Sequence, residues 1–263
     1  MFDPRESAKE WRKRMGFTNQ SQCRDFLSGK VVMPGIDEGY LESLNTHLGK
    51  LVQGLQAAVH PSCALPDGEL PIFLESNRDA VLVQLRNNNL LARLNNQGRR
   101  PEEVYFSWMR GHLVVRYFHR AITEMFRPLG NEIRSIGADD FSQAATFRRS
   151  ATADLAVIDK DGRPAARLEV QSGFTGINDL KRHKVVEARD IFERDAIRTY
   201  LVDFDLFNGL VAVLDLCEYS VDDDRWVQRQ QMEGQWVLPL DFNWFSWRLL
   251  DPVPGDFNAL LPE

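Results

Sequence analysis

The chain has 263 residues, enough for one large or two small domains with a buried core, and its 43% apolar and 27% charged composition is that of a globular protein. No apolar run approaches the ~20 residues that span a bilayer, and MFDPRESAKEWRKRM has no hydrophobic signal core, so a reducing cytoplasm is expected, without membrane insertion or secretion. The net charge of −6 does not exclude a nucleic-acid partner: residues 202–263 hold 12 Asp and Glu against three Lys and Arg, whereas residues 93–149 hold ten Arg against six acids.

The first hundred residues read as helical. RESAKEWRKRM is a short amphipathic helix, and SQCRDFLSG a second that ends at Gly29. GIDEGYLESLNTHLGKLVQGLQAAV places Leu41, Leu44, Leu48, Leu51 and Leu55 at helical spacing. After the Pro-rich connection HPSCALPDGELP, LESNRDAVLVQLRNNNLLARLNN is a further helix with Ser76 or Asn77 as its cap. The VVMPG link is long for a helix-turn-helix, which favours a plain bundle. PEEVYFSWMRGHLVVRYFHRAITEMFRPLG is expected to be one helix, entered at Pro101 and ending before Pro128. On it Glu103 and Glu124 are possible extra acids. His112 and His119 stand two turns apart, too far to share a metal, and read as packing or surface residues.

NEIRSIG is a strand, and ADDFSQAATFRRS leads into TADLAVIDKDGRPAARLEVQ. In that stretch two apolar runs flank DKDG, the pattern of a β-hairpin. With Asp159 to Gly162 as the loop, Ile158 faces Arg163, Asp154 faces Arg167, and Glu169 lies one diagonal step away on Asp154's face. Diagonal neighbours are roughly 7 Å apart, so the two carboxylates can close on one divalent ion. Gln171 shares that face, while Leu155, Val157, Leu168 and Val170 point to the core. A solvated hairpin face also carries acids, but Asp154 falls inside an apolar run, where a carboxylate is costly unless paired or metal-bound. The basic helix INDLKRHKVVEARDIF and the strands RTYLVDFD and LVAVLDL follow. Near the C-terminus Trp226, Trp236, Trp244 and Trp247 can form a cap or bury a dimer contact. Cys23, Cys63 and Cys217 have no CxxC spacing and read as free thiols. The chain lacks GxxxxGK[ST], strand-linked GxGxxG, HExxH and GxSxG motifs.

An acid-bearing strand, an ExK-like strand, a helix and further strands, in that order, resemble the PD-(D/E)xK nuclease superfamily and particularly type II restriction endonucleases, over residues 148–216. The resemblance places the metal-binding acids on Asp154 and Glu169 and the motif lysine on Gln171, as in the ExQ variants; Ala153 stands where the motif has Pro. It implies an α/β fold, a restriction-endonuclease-like mixed sheet flanked by helices. Strands are expected near residues 132–136, 152–158, 165–171, 198–205 and 210–216. A helical region over residues 1–100, for DNA recognition or dimerisation, would join a catalytic core over residues 101–263. The implied activity is Mg²⁺-dependent hydrolysis of double-stranded DNA at a short specific sequence, with Mn²⁺ able to substitute. A homodimer and a cognate DNA methyltransferase as genetic partner follow from that class.

Gln171 lacks a usable pKa and can orient a water but cannot be the base. Proton removal then falls to the metal, to a phosphate, or to a lysine from the next helix, where Lys181, His183 and Lys184 are also candidate DNA contacts. Arg148 and Arg149, ahead of the catalytic strand, are candidates for phosphate or base-edge contacts. The alternatives are a structure-specific DNA repair or recombination nuclease of the same fold and a non-catalytic DNA-binding protein on a decayed nuclease fold.

Overall fold

Helix α1 (Pro4–Arg14) and helix α2 (Gln20–Leu27) precede α3 (Glu38–Ala58), the longest helix among the described residues. The computed structural model describes residues 4–16, 20–28, 36–94, 99–130, 132–136, 153–222, 224–229 and 234–262, so Arg148 and Arg149 lie outside the described residues. The Asp37 carboxylate caps α3 by accepting the Tyr40 amide at 2.9 Å. Its own amide donates to buried Glu102 at 2.6 Å, which ties the start of α3 to the start of α6 (Pro101–Tyr117).

The next helical run starts earlier than the sequence suggests. It begins with α4 (Glu69–Leu74), passes through one π turn (Glu75–Asp79) and continues as α5 (Ala80–Asn87). Pro71 sits in the first turn, where its missing amide costs nothing. Ser76 and Asn77 therefore lie inside the π turn, and the Asn77 side chain donates to the Phe73 carbonyl at 2.9 Å, a local bond that competes with the regular ladder.

The expected long helix is two, α6 and α7 (His119–Phe126), divided at Phe118. Tyr117 and Phe118 are neighbours in sequence and both are fully buried. A straight helix would point them about 100° apart. The break lets Phe118 stack on Phe204 of the sheet, ring centroids 4.4 Å apart.

The main sheet is mixed and six-stranded, in the order β1-β2-β3-β5-β6-β9. Its strands are β1 (Glu132–Ser135), β2 (Leu155–Ile158), β3 (Pro164–Gly173), β5 (Arg198–Asp205), β6 (Leu210–Asp215) and β9 (Phe245–Arg248). Among the described residues only β3 and β5 pair in parallel, joined by the crossover helix α8 (Arg182–Asp195). Residues 179–181, expected as part of that helix, form β4 (Asp179–Lys181) instead. With β7 (Val227–Arg229) and β8 (Gln235–Pro239), β4 makes a second sheet, ordered β4-β8-β7. The architecture is thus mixed α/β, with helices against both faces of the main sheet. No helix among the described residues is long and apolar enough to cross a membrane.

Strand alternation divides the core. Leu155, Val157, Leu168, Val170, Val202 and Phe204 join helices α3 to α7 in the larger core. Leu201 and Leu214 face the other way, packing with Val185 and Ala188 of α8, Leu180 of β4 and Leu238 of β8. Each buried side chain of this size contributes about 1.5–3 kcal/mol. Of the C-terminal tryptophans, Trp226 and Trp247 are buried within the protein, while Trp236 is exposed. All three cysteines are free.

The loop between β3 and β4 and the turn between β5 and β6 share one anchor. Buried Asp205 accepts the amides of Phe207 and Asn208 at 3.1 and 3.2 Å, and the side-chain amides of Asn178 and Asn208 at 2.9 and 2.7 Å.

Candidate functional site

The hairpin forms, with a different register from the one counted in the sequence. The Asp159 carboxylate accepts the amides of Asp161 and Arg163 at 2.8 and 2.9 Å, and Gly162 takes a left-handed φ of 78°. This turn pairs Ile158 with Pro164 and not with Arg163. A bulge between Val157 and Ile158 adds a second step, so Leu155 pairs with Leu168 and Ala156 with Arg167. Asp154 therefore does not face Arg167; one further step along the ladder sets it across from Glu169. Two one-residue shifts preserve parity, and Asp154, Glu169 and Gln171 keep the common face expected of them.

Asp154 stands just before β2, and its Oδ2 accepts the Val170 amide at 2.8 Å. Glu169 projects from β3 toward α8, where its Oε1 meets Lys184 Nζ at 2.8 Å; both side chains are more than four-fifths buried. The amphipathic pattern of α8 brings the lysine there: Val185, Ala188 and Ile191 are buried against the sheet, and Lys184 borders that stripe. Burial, and then the Asp154 charge, push Glu169 up to about 7 against the opposing pull of Lys184. Burial pulls the Lys184 ammonium down, but its pairing with Glu169 outweighs this and holds it above the ordinary lysine value.

Gln171 is drawn to another partner. The parallel register sets it beside Asp203, and its Nε2 donates to Asp203 Oδ2 at 2.7 Å and to the Asp179 carbonyl at 3.2 Å. Asp203 is fully buried, and its Oδ1 finds no hydrogen-bond partner among the described residues. Burial pushes its carboxyl up to about 7, with Gln171 pulling the other way.

Comparison with protein-family models, with curated proteins and with solved structures gives no match. The site is thus interpreted on its own geometry.

Of the other described residues singled out in the sequence, Lys184 is the one that pairs with Glu169. His183 is on the exposed side of α8, and Lys181 lines a separate cleft with Gln171, Thr175 and Arg229. Glu103 closes the first turn of α6 by accepting the Arg100 amide at 3.3 Å, and Glu124 pairs with Arg127. His112 stacks on Trp108 in a cleft that Asp154 also lines. Asp203 was missed, although its signal is in the sequence: a carboxylate inside the apolar strand RTYLVDFD, the same anomaly that marks Asp154.

Two hard oxygen donors that repel each other suit a small divalent cation, which would relieve the Asp154 repulsion that adds to burial in raising Glu169. Among the described residues no group of three His, Cys, Asp or Glu is placed to hold a metal. An ion held by Asp154 and Glu169 would therefore keep several waters, as Mg²⁺ does.

Proposed function

We propose that this chain is a Mg²⁺-dependent deoxyribonuclease of the PD-(D/E)xK type, and within it a type II restriction endonuclease that cuts double-stranded DNA at a short specific sequence. The observation that carries this reading is the meeting of Asp154, Glu169 and Lys184 on one face of the hairpin. The element order supports it too: Asp154 at the entrance to β2, ExQ-bearing β3, crossover helix α8 and parallel β5.

Asp154 and Glu169 would hold the Mg²⁺, which when bound polarises the phosphate and lowers the pKa of water. Lys184 takes the part that Gln171 cannot, since its ammonium is fixed by Glu169 and can donate a hydrogen bond to a developing oxyanion. The Gln171 Nε2 is committed to Asp203 and the Asp179 carbonyl, so its amide oxygen is the end that orients a water. A palindromic target is most simply read by a homodimer, and a host carrying such an enzyme needs the cognate methyltransferase.

The test is cleavage of duplex DNA by the wild-type protein with Mg²⁺, with Mn²⁺ and with EDTA. Discrete fragments with either metal and none with EDTA support the proposal. Intact DNA under all three conditions, in a protein that still binds it, would leave the DNA-binding alternative standing.

A further inference from the structure

A cleft of about 260 Å³ opens between α6 and the sheet, with Asp154 and Ser172 on the sheet side and Trp108, Gly111, His112 and Arg116 on the helix side. The hydrolytic scheme uses Asp154 alone of these. Trp108 and His112, one helical turn apart, are stacked with ring centroids 5.1 Å apart and planes 21° apart, an aromatic stack on which a further ring can pack. Gly111 lies beside them in the middle of α6, where glycine costs about 1 kcal/mol relative to alanine. A Cβ at this position would meet no atom within 4 Å, so the protein's own packing does not require glycine. What the glycine leaves is space in the cleft, where a ligand can approach the backbone closely. Arg116, in the last turn of α6, adds a guanidinium to the same wall.

An aromatic surface, a cation and a polar floor that includes Asp154 match the needs of a single nucleotide: a base to stack and a phosphate to neutralise. The volume lies just below the roughly 300–1,000 Å³ of pockets that enclose drug-sized ligands. A duplex, whose major groove alone is ~12 Å wide, cannot enter. We propose that this cleft takes one unpaired nucleotide of the substrate strand, its base against Trp108 and His112 and its phosphate toward Arg116. The ligand's identity rests on the nuclease reading above. The nucleotide can come from extrusion out of a duplex or from a strand already unpaired, and the chemistry of the cleft is the same for both.

The experiment is fluorescence anisotropy in EDTA, which prevents cleavage. Its probes are a short labelled single strand, the matching duplex, and that duplex with one bulged nucleotide. Trp108→Ala should weaken binding of the single strand and the bulged duplex by about five- to about 150-fold, the range of base–aromatic stacking. Gly111→Leu should weaken it as much by filling the cleft, without lowering Tm, since leucine is the better helix former. Arg116→Ala should reduce the slope of log K against log salt by about one. An equal Trp108→Ala effect on the intact duplex identifies extrusion, and an effect confined to the other two probes identifies a pre-existing unpaired nucleotide. Wild-type affinity for all three DNAs in Trp108→Ala, or in a folded Gly111→Leu, overturns the proposal. Cleavage with Mg²⁺ separates the two readings: cutting that is indifferent to Gly111→Leu leaves the nuclease without the pocket. Nucleotide binding lost in Gly111→Leu, in a protein that never cuts, leaves the pocket without the nuclease.

Discussion

Gln171 and Asp203 stand side by side on parallel strands, with the amide Nε2 2.7 Å from the carboxylate Oδ2. The amide that a water would otherwise find is thereby bound to a buried acid, so Gln171 has a structural partner beside the part proposed for it in cleavage. Gln171→Ala should lower single-turnover cleavage by about ten- to a thousandfold, as expected of a positioning group. It should also cost about 1–3 kcal/mol of stability, because Asp203 loses a donor inside the core. Gln171→Glu should do worse on both counts, since it sets a second carboxylate against Asp203. Unchanged cleavage and unchanged Tm in Gln171→Ala would remove both roles.

The raised Asp203 carboxyl predicts a slope of stability with pH. The group's folded value, about 7, lies above its ordinary value, so the protonated form is the one that folding favours. Its contribution is fully present below about pH 4 and is lost as pH rises through about 7. Asp203→Asn should therefore flatten the curve of Tm against pH in that window and raise Tm at pH 8. Glu169 titrates over the same range, so the difference between variant and wild type is the quantity to measure. Parallel curves for the two proteins would contradict the assignment.

Asp154→Ala and Glu169→Ala should each abolish cleavage while DNA binding in EDTA stays measurable, because the proposed metal ligands are lost and the docking surface is not. Removing a carboxylate near phosphate also relieves repulsion, so affinity should hold or improve. Full cleavage by either variant would dismantle the site.

Lys184→Met keeps the apolar stem of the side chain and removes the charge. Cleavage should fall by at least about a hundredfold, the loss typical of one transition-state donor. The stability cost should be on the order of 3 kcal/mol, because Glu169 is left buried without its partner. Lys184→Arg should recover most of the stability but less of the rate, since the planar guanidinium cannot present the same point charge. A rate equal to wild type in Lys184→Met would reduce the lysine to a structural counter-ion.

Much of the sheet was legible because strand alternation is local: β1, β5 and β6 fall within a residue of their expected bounds at each end. The face shared by Asp154, Glu169 and Gln171 was legible for the same reason. The register was not, because it depends on a turn closed by the Asp159 side chain and on a bulge, and neither changes the hydrophobic pattern. Lys184 was one of three candidates, with Lys181 and His183, on a segment that also holds Arg182 and Arg189. Only the packing of α8 on the sheet separates it from His183, a long-range fact that no local pattern holds. The small β4-β8-β7 sheet was hidden as well, since its strands are three to five residues long and lack a clean period.

Asp205 has a consequence for motion. One carboxylate collects hydrogen bonds from both the 174–178 loop and the 206–209 turn, so neither can open without stripping donors from a buried charge. Surface turns ordinarily exchange their amide protons quickly. Here the Phe207 and Asn208 amides should exchange slowly, and Asp205→Ala should release them together with the neighbouring loop. Exposed Phe207 and Ile177, one on each segment, are thus mounted on a single stiff platform.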